Sequence, residues 1–194
     1  MPKLLPAGNS PVHASFVAGG AGPWKIASIV GITGDGLPAA SHLSASDSSP
    51  NSSLPNGGGW VLKGVTSNAR YTTREELGKL EAVQAGLGRD QAVRAALIPI
   101  RKADAWWALA QDERRAIIED RSRHIAIGLK YLPAIARRLY HSRELAQPFD
   151  FLTWFEYAPE HSAAFEDLVG ELRRTQEWSY VNREVDIRLS RCGK

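Results

Sequence analysis

Two strand–helix–strand passages constrain the fold of this chain more than any other feature of its sequence. In each passage two β-type runs flank an amphipathic segment, at residues 60–71 and 91–102 and at residues 149–157 and 180–189. Units of this kind gather their helices on one side of an antiparallel sheet. We therefore predict an α+β fold of ferredoxin-like type, in which helices cover one side of antiparallel sheets.

The two passages predict two fused halves, the first of them shortened. We expect an irregular N-terminal arm at residues 1–23, a first half at 24–102 and a second half at 103–194. The first half begins with a strand at Trp24 and contains a mobile loop at 37–59, because that stretch is rich in Ser, Pro, Asn and Gly. Threonines and glutamates at residues 72–76 predict the start of its helix through capping boxes.

The segment that joins the passages, residues 104–143, predicts three helices. Asp104 is placed to cap a short helix that carries the tryptophan pair. A longer helix over 112–124 would bring His124 onto one face together with Ile117 and Arg121. The run AIARRLYHS, residues 134–142, predicts the third helix.

Charge and length exclude few classes of protein. The 194 residues carry a formal net charge of +3 with acids and bases interspersed, so nucleic-acid binding is not indicated. The single cysteine, Cys192, cannot form an internal disulfide. No run reaches the ~20 apolar residues of a membrane helix, and prolines interrupt the N-terminus where a signal peptide would lie. We expect a soluble, cytoplasmic protein, with a periplasmic location left open.

His124 is the residue most suited to bind a metal, but taken alone a helical histidine is more often structural. The other four histidines are scattered, without the spacing of a zinc site, and no CxxCH motif is present. A single neutral imidazole is nevertheless all that a five-coordinate b-type haem requires from a protein.

The order of Trp106-Trp107, His124 and Arg137, followed by FDFLTWFEY and RRTQEWSYVNREVDIRL, resembles the haem-binding domain of the chlorite dismutase family, in particular its short type. The resemblance covers roughly residues 58–190. It implies one haem b per subunit, with His124 as the proximal iron ligand and Glu177 as the carboxylate bonded to the imidazole N–H.

The resemblance also implies a set of residues on the opposite side of the haem and around it. Arg137, thirteen residues after His124, matches the distal arginine, and Gln84 matches a glutamine able to hydrogen-bond it. Arg138 would then be its solvated neighbour. The remaining candidates are contacts to the haem propionates or walls of the haem pocket: Lys102 and Tyr71 for the propionates, and Trp107, Trp106 and Leu132 for the walls.

The function implied by the resemblance is conversion of chlorite to chloride and dioxygen, through an oxo-iron intermediate and recombination with hypochlorite. A charged, planar guanidinium suits such a small anion. Short members of the family are dimers, so a homodimer is expected. Two alternatives remain open: a coproheme decarboxylase of haem synthesis, and a haem-binding stress or sensor protein with incidental peroxidase activity.

Overall fold

The computed structural model describes residues 12–47, 59–66, 72–83 and 86–193. Eight strands and five α-helices make up most of them. The strands are β1 His13–Gly19, β2 Trp24–Thr33, β3 His42–Asp47, β4 Trp60–Thr66, β5 Arg94–Lys102, β6 Ala136–His141, β7 Phe151–Tyr157 and β8 Val181–Arg191. The helices are α1 Arg74–Val83, α2 Asp104–Ala108, α3 Gln111–Arg115, α4 His124–Lys130 and α5 Ser162–Arg173.

The strands form one closed antiparallel barrel in the order β1-β3-β2-β8-β5-β7-β6-β4, and β4 pairs with β1 to close it. One apolar core fills the interior and takes side chains from all eight strands, including Phe16, Leu97, Trp154 and Ile187. A second core lies between the outer face of the sheet and the helices. Strand β5 faces both cores, which explains its unbroken run of buried residues from Ala95 to Ile100.

The last part of the chain, from β5 to β8, follows the order strand, helices, strand, strand, helix, strand. Its four strands are neighbours in the order β8-β5-β7-β6, and α4 and α5 contribute to the core on their outer face. The predicted α+β class, with an antiparallel sheet and helices packed against it, is confirmed in this coarse form.

Three predicted elements differ from the structure. The predicted arm at 1–23 contains β1, and the predicted loop at 37–59 contains β3 within its described part. The run 134–142 forms β6 instead of a helix, because it pairs along its whole length with β7. Pairing with neighbours overrides the local preference in each case.

The helices of the central segment also differ in detail. Asp104 is the first residue of α2 and not its cap, since Ala103 occupies that position. The predicted helix over 112–124 is divided by a π-helical turn, Ala116–Arg121, and by Arg123, which has a φ of 52°. As a result Ile117 is buried while Arg121 is exposed, so the predicted common face does not form.

Candidate functional site

Strand β6 carries two neighbouring arginines whose side chains leave opposite faces of the sheet. Arg137 lies beside Phe155 of β7, and Arg138 lies beside Trp154. Phe155 belongs to the core under the helices, whereas Trp154 belongs to the barrel interior. Because side chains alternate along a strand, Arg137 faces the helices and Arg138 faces the interior.

The interior position of Arg138 contradicts its predicted exposure to solvent. Its Nη1 lies 3.5 Å from Oδ2 of Asp47 on β3, and the two side chains are 12% and 4% exposed. The prediction assumed a helix, in which neighbouring side chains point about 100° apart. In a strand they point to opposite faces, which sends Arg138 into the barrel.

The guanidinium of Arg137 lies against the backbone of α4 at Gly128. A Cβ built on Gly128 would stand 2.9 Å from Nη1 of Arg137 and 3.0 Å from its Cζ and Nη2. Gly128 follows His124 by four residues, so both belong to one face of α4. The structure therefore brings Arg137 next to the helix face that carries His124. Burial lowers the pKa of Arg137, although a guanidinium stays protonated in proteins.

His124 is the first residue of α4 and contacts Glu177. Its Nδ1 lies 2.6 Å from Oε2 of Glu177, which belongs to a 3-10 turn between α5 and β8. Helix α5 ends at Arg173, and Thr175, which is extended, separates the 3-10 turn from it. Within the part of the chain that the structure describes, no hydrogen bond engages Nε2 of His124.

Lys102, the last residue of β5, binds the other oxygen of the same carboxylate. Its Nζ lies 2.9 Å from Oε1 of Glu177 and 3.3 Å from the Glu177 carbonyl oxygen. Both side chains are buried, at 1% and 7% exposed. Burial alone would raise the pKa of Glu177, but electrostatic interactions and hydrogen bonds with His124 and Lys102 outweigh it and lower that pKa to about 2. The carboxylate is thus fixed between two donors.

The break before α4 also positions His124. The buried hydroxyl of Ser122 accepts a hydrogen bond of 2.9 Å from the backbone N–H of Glu177. The carboxylate of Glu119 accepts one of 2.9 Å from the N–H of Ile125, in the first turn of α4. The two bonds tie the end of the π-helical turn to the 3-10 turn and to α4, so the imidazole and its carboxylate are held from both sides.

The tryptophan pair divides between two environments. Trp106 is 1% exposed, and the Nζ of Lys102 lies 4.7 Å from the centre of its ring. Trp107 stacks on Phe151 with ring centres 6.0 Å apart, and its Nε1 donates to Asp150 over 3.3 Å. Trp106 therefore packs against the cation that binds Glu177, whereas Trp107 packs against the first residue of β7.

The geometry suits a metal-containing ligand that is bound through a single neutral imidazole. When Nδ1–H donates to Glu177, the tautomer is fixed and the lone pair of Nε2 is free to coordinate iron. Gly128 leaves a surface without a side chain one turn further along the same face. The described residues contain no group of three or more His, Cys, Asp or Glu side chains placed to hold a metal ion, and none of the described helices is long and apolar enough to span a membrane.

Comparison with known proteins shows the family to which the chain belongs. The sequence model of a family described as chlorite dismutase matches residues 57–192, more than half of the chain. The chain belongs to the chlorite dismutase family. A crystal structure of dimeric chlorite dismutases from Nitrobacter winogradskyi is 60% identical, has a TM-score of 0.85, and matches 92% of this chain and 99% of its own.

Two further chlorite dismutases match over a smaller part of their length. The protein from Candidatus Nitrospira defluvii, solved in complex with imidazole, is 29% identical with a TM-score of 0.55, over 68% of this chain and 55% of its own. The protein from Ideonella dechloratans is 29% identical over 121 residues, which is 61% of this chain and 40% of that protein. The chain therefore spans about half the length of these relatives.

The structure gathers most of the residues that the family resemblance singled out. His124, Glu177, Lys102 and Trp106 form one contiguous cluster, and Arg137 reaches the face of α4 that carries His124. The Nζ of Lys102, which was predicted to contact a haem propionate, is buried and binds the carboxylate of Glu177. Leu132 is half-buried in the turn between α4 and β6. Gln84 and Tyr71 lie outside the described residues.

Sequence reasoning missed three residues that shape the site. Gly128, Ser122 and Glu119 were not singled out from the sequence. A glycine four residues after a candidate ligand was a usable signal, because it leaves the same helix face bare. No comparable signal marked Ser122 or Glu119, since their roles depend on the π-helical turn.

Proposed function

We propose that this chain binds haem b through His124 and converts chlorite to chloride and dioxygen. Membership of the chlorite dismutase family supports the reaction. The observation that carries the proposal is the contact of 2.6 Å between Nδ1 of His124 and a carboxylate that is itself bound by Lys102. This arrangement would leave Nε2 of a neutral imidazole to bind the iron, which is the requirement for a proximal ligand.

Glu177 tunes the ligand by accepting a hydrogen bond from the Nδ1–H of His124. A carboxylate partner gives the imidazole partial imidazolate character and makes Nε2 a stronger electron donor. Lys102 keeps Glu177 ionised, since its ammonium group is buried beside the carboxylate. The bound haem supplies the redox chemistry that rearranges the bonds of chlorite.

Arg137 is the residue that we assign to the substrate. A guanidinium offers several donors in one plane and carries a permanent charge, so it can hold a small oxyanion and orient it. Its position on the helix-facing side of β6 brings this charge to the site, where positive potential stabilises developing anionic charge. We assign Gln84 as a hydrogen-bond partner of Arg137 on the family pattern, and Tyr71 as a propionate contact on the same basis.

Three variants test the proposal. In His124→Ala the absorption band of bound haem and the evolution of oxygen from chlorite should both be lost. In Arg137→Ala haem should stay bound while oxygen evolution falls at least about a hundredfold. His161→Ala, which changes a histidine in the turn before α5, should leave both unchanged. Haem uptake by His124→Ala at the wild-type level would refute the proposal, and haem binding without oxygen release in the wild type would favour a sensor role.

We further propose that the chain forms a homodimer, as the name of the Nitrobacter structure states for that protein. We also propose that the part from β5 to β8 is a ferredoxin-like half, since it has the β-α-β-β-α-β order of that motif. This would place the boundary between the two halves before β5. Sedimentation of the haem-loaded protein tests the dimer, and a mass of one chain would exclude it.

A further inference from the structure

The bare surface of α4 at Gly128 is occupied by the guanidinium of Arg137. Three atoms of that group lie 2.9–3.0 Å from the position that a Cβ would take. Contacts this short mean that the guanidinium rests directly on the helix backbone, in space that any other residue would fill. Gly128 has an ordinary helical backbone, because it is not among the residues of positive φ, so the backbone does not require glycine here.

The same surface lies within reach of any flat ligand centred on His124. Gly128 is about 6 Å along the helix axis from His124, on the same face, and the only imidazole nitrogen left for the ligand is Nε2. A macrocycle bound there would extend over the neighbouring turn of α4. It would need the space in which the guanidinium of Arg137 lies.

We propose that haem and the guanidinium of Arg137 occupy the same surface of α4 at Gly128, so that binding of haem lifts the arginine off the helix. The inference rests on the proposed function, in which His124 is the haem ligand. Gly128 is then a positioning residue with two uses: it seats the arginine before haem arrives and gives room to the porphyrin afterwards.

The buried position of Arg137 carries a desolvation cost. Burial lowers the pKa of its guanidinium, because it disfavours the charged form. A flexible arginine side chain can move its head group by rotating about its own bonds. Lifting the guanidinium therefore requires no change in the backbone of β6 or α4.

A second glycine–arginine pair provides a matched control. Gly170 lies within α5, and a Cβ there would stand 3.5 Å from Nη1 of Arg174, an ordinary contact. Arg174 is exposed, outside the site. Both glycines lie in helices, and substitutions at this pair change the same residue types without touching the face of His124.

The experiment measures the rate and affinity of haem binding to the full chain freed of haem. Arg137→Ala should bind haem about threefold to tenfold faster and tighter, because affinity scales with the fraction of molecules whose site is accessible. Arg174→Ala should match the wild type. Arg137→Lys, which lacks the planar head group, should also bind haem faster and tighter. It replaces the alanine variant in the experiment if that variant fails to fold.

A double-mutant cycle tests the part played by Gly128. In Gly128→Ala the new methyl group displaces the guanidinium, so adding Arg137→Ala should increase the rate and affinity of haem binding little further. In Gly170→Ala the same arginine substitution should keep its full effect. Equal gains in both backgrounds, or wild-type haem binding in both Arg137 variants, would overturn the inference and leave the proposed function intact. Wild-type haem binding in His124→Ala would instead overturn the proposed function.

Discussion

Replacing Lys102 by methionine should destabilise the protein far more than the same replacement of an exposed lysine. The Nζ of Lys102 bonds both the carboxylate and the backbone carbonyl of Glu177, at 2.9 Å and 3.3 Å. It also lies over the rings of Trp106 and Trp178, at 4.7 Å and 5.6 Å from their centres. Methionine keeps the apolar contacts and removes the charge.

The magnitude follows from the burial of the pair, whose side chains are 1% and 7% exposed. Breaking a buried ion pair by removing one partner costs about 3–5 kcal/mol, and the carboxylate of Glu177 would keep His124 as its remaining side-chain partner. The lowered pKa of Glu177 has the same direction, since His124 and Lys102 both favour its charged form.

Urea unfolding followed by tryptophan fluorescence measures the loss at neutral pH. Lys130→Met is the matched control, since Lys130 binds Glu171 at 2.7 Å with side chains 58% and 31% exposed, and it should lose little. Lys102→Met combined with Glu177→Gln should recover most of the stability, because no buried charge then remains unpaired. A loss in Lys102→Met no larger than in Lys130→Met would refute the reasoning.

Three further predictions concern stability. Gly64→Ala should lower the free energy of unfolding by about 1–3 kcal/mol in urea, since its Cβ would meet a side-chain carbon of β6 at 2.7 Å. Gly78→Ala in α1, whose Cβ would have nothing within 4 Å, should raise it by up to about 1 kcal/mol. The opposite order would contradict the packing argument. Arg173→Met should lose about 3–5 kcal/mol in the same assay, because it removes two donors from the carboxylate of Glu184, which is fully buried; a variant as stable as the wild type would exclude this. The lowered pKa of Glu177 predicts stabilisation that is fully present above pH 4.5 and disappears as the pH falls towards 2, so the melting temperature of Glu177→Gln should vary less with pH in that range, and parallel curves would refute the assignment.

The sequence predicted the elements whose patterns agree with their surroundings. The strands at β5, β7 and β8 were expected close to their observed bounds. The start of α1 was expected from a capping box, and the structure confirms it: the N–H of Thr73 donates to Glu76 over 2.7 Å, and the N–H of Glu76 donates to the Thr73 hydroxyl over 3.3 Å. Local pattern and tertiary environment favour the same structure at these positions.

The elements that were missed depend on distant partners. Strand β1 pairs with β3 on one side and β4 on the other, and its short sequence HASFVAG has no strong β-type pattern of its own. Strand β3, HLSASD, is mostly polar, and one of its polar residues is Asp47, the partner of Arg138. A polar residue that faces the barrel interior cannot be distinguished from a loop residue without knowledge of its partner.

The candidate site divides in the same way. The residue types and the order of His124, Arg137 and Glu177 could be identified from a family pattern in the sequence. The course of the backbone between them could not be predicted, because a π-helical turn and a left-handed residue set the direction of α4. The burial of Lys102 against Glu177 was also missed, since a lysine at the end of a strand is usually exposed.

The register of β6 against β7 decides which arginine can act at the site. Side chains alternate with a period of two, so a slip by one residue would exchange the faces of Arg137 and Arg138. Arg138 opposes such a slip, because its ion pair with Asp47 lies inside the barrel, at 3.5 Å, and moving it to the helix side would leave that carboxylate buried without its partner. The interior ion pair and the arginine of the site therefore depend on one register. The barrel fixes the direction of Arg137 through its neighbour in the sequence, and this explains how a charged side chain can be directed beneath the helix layer.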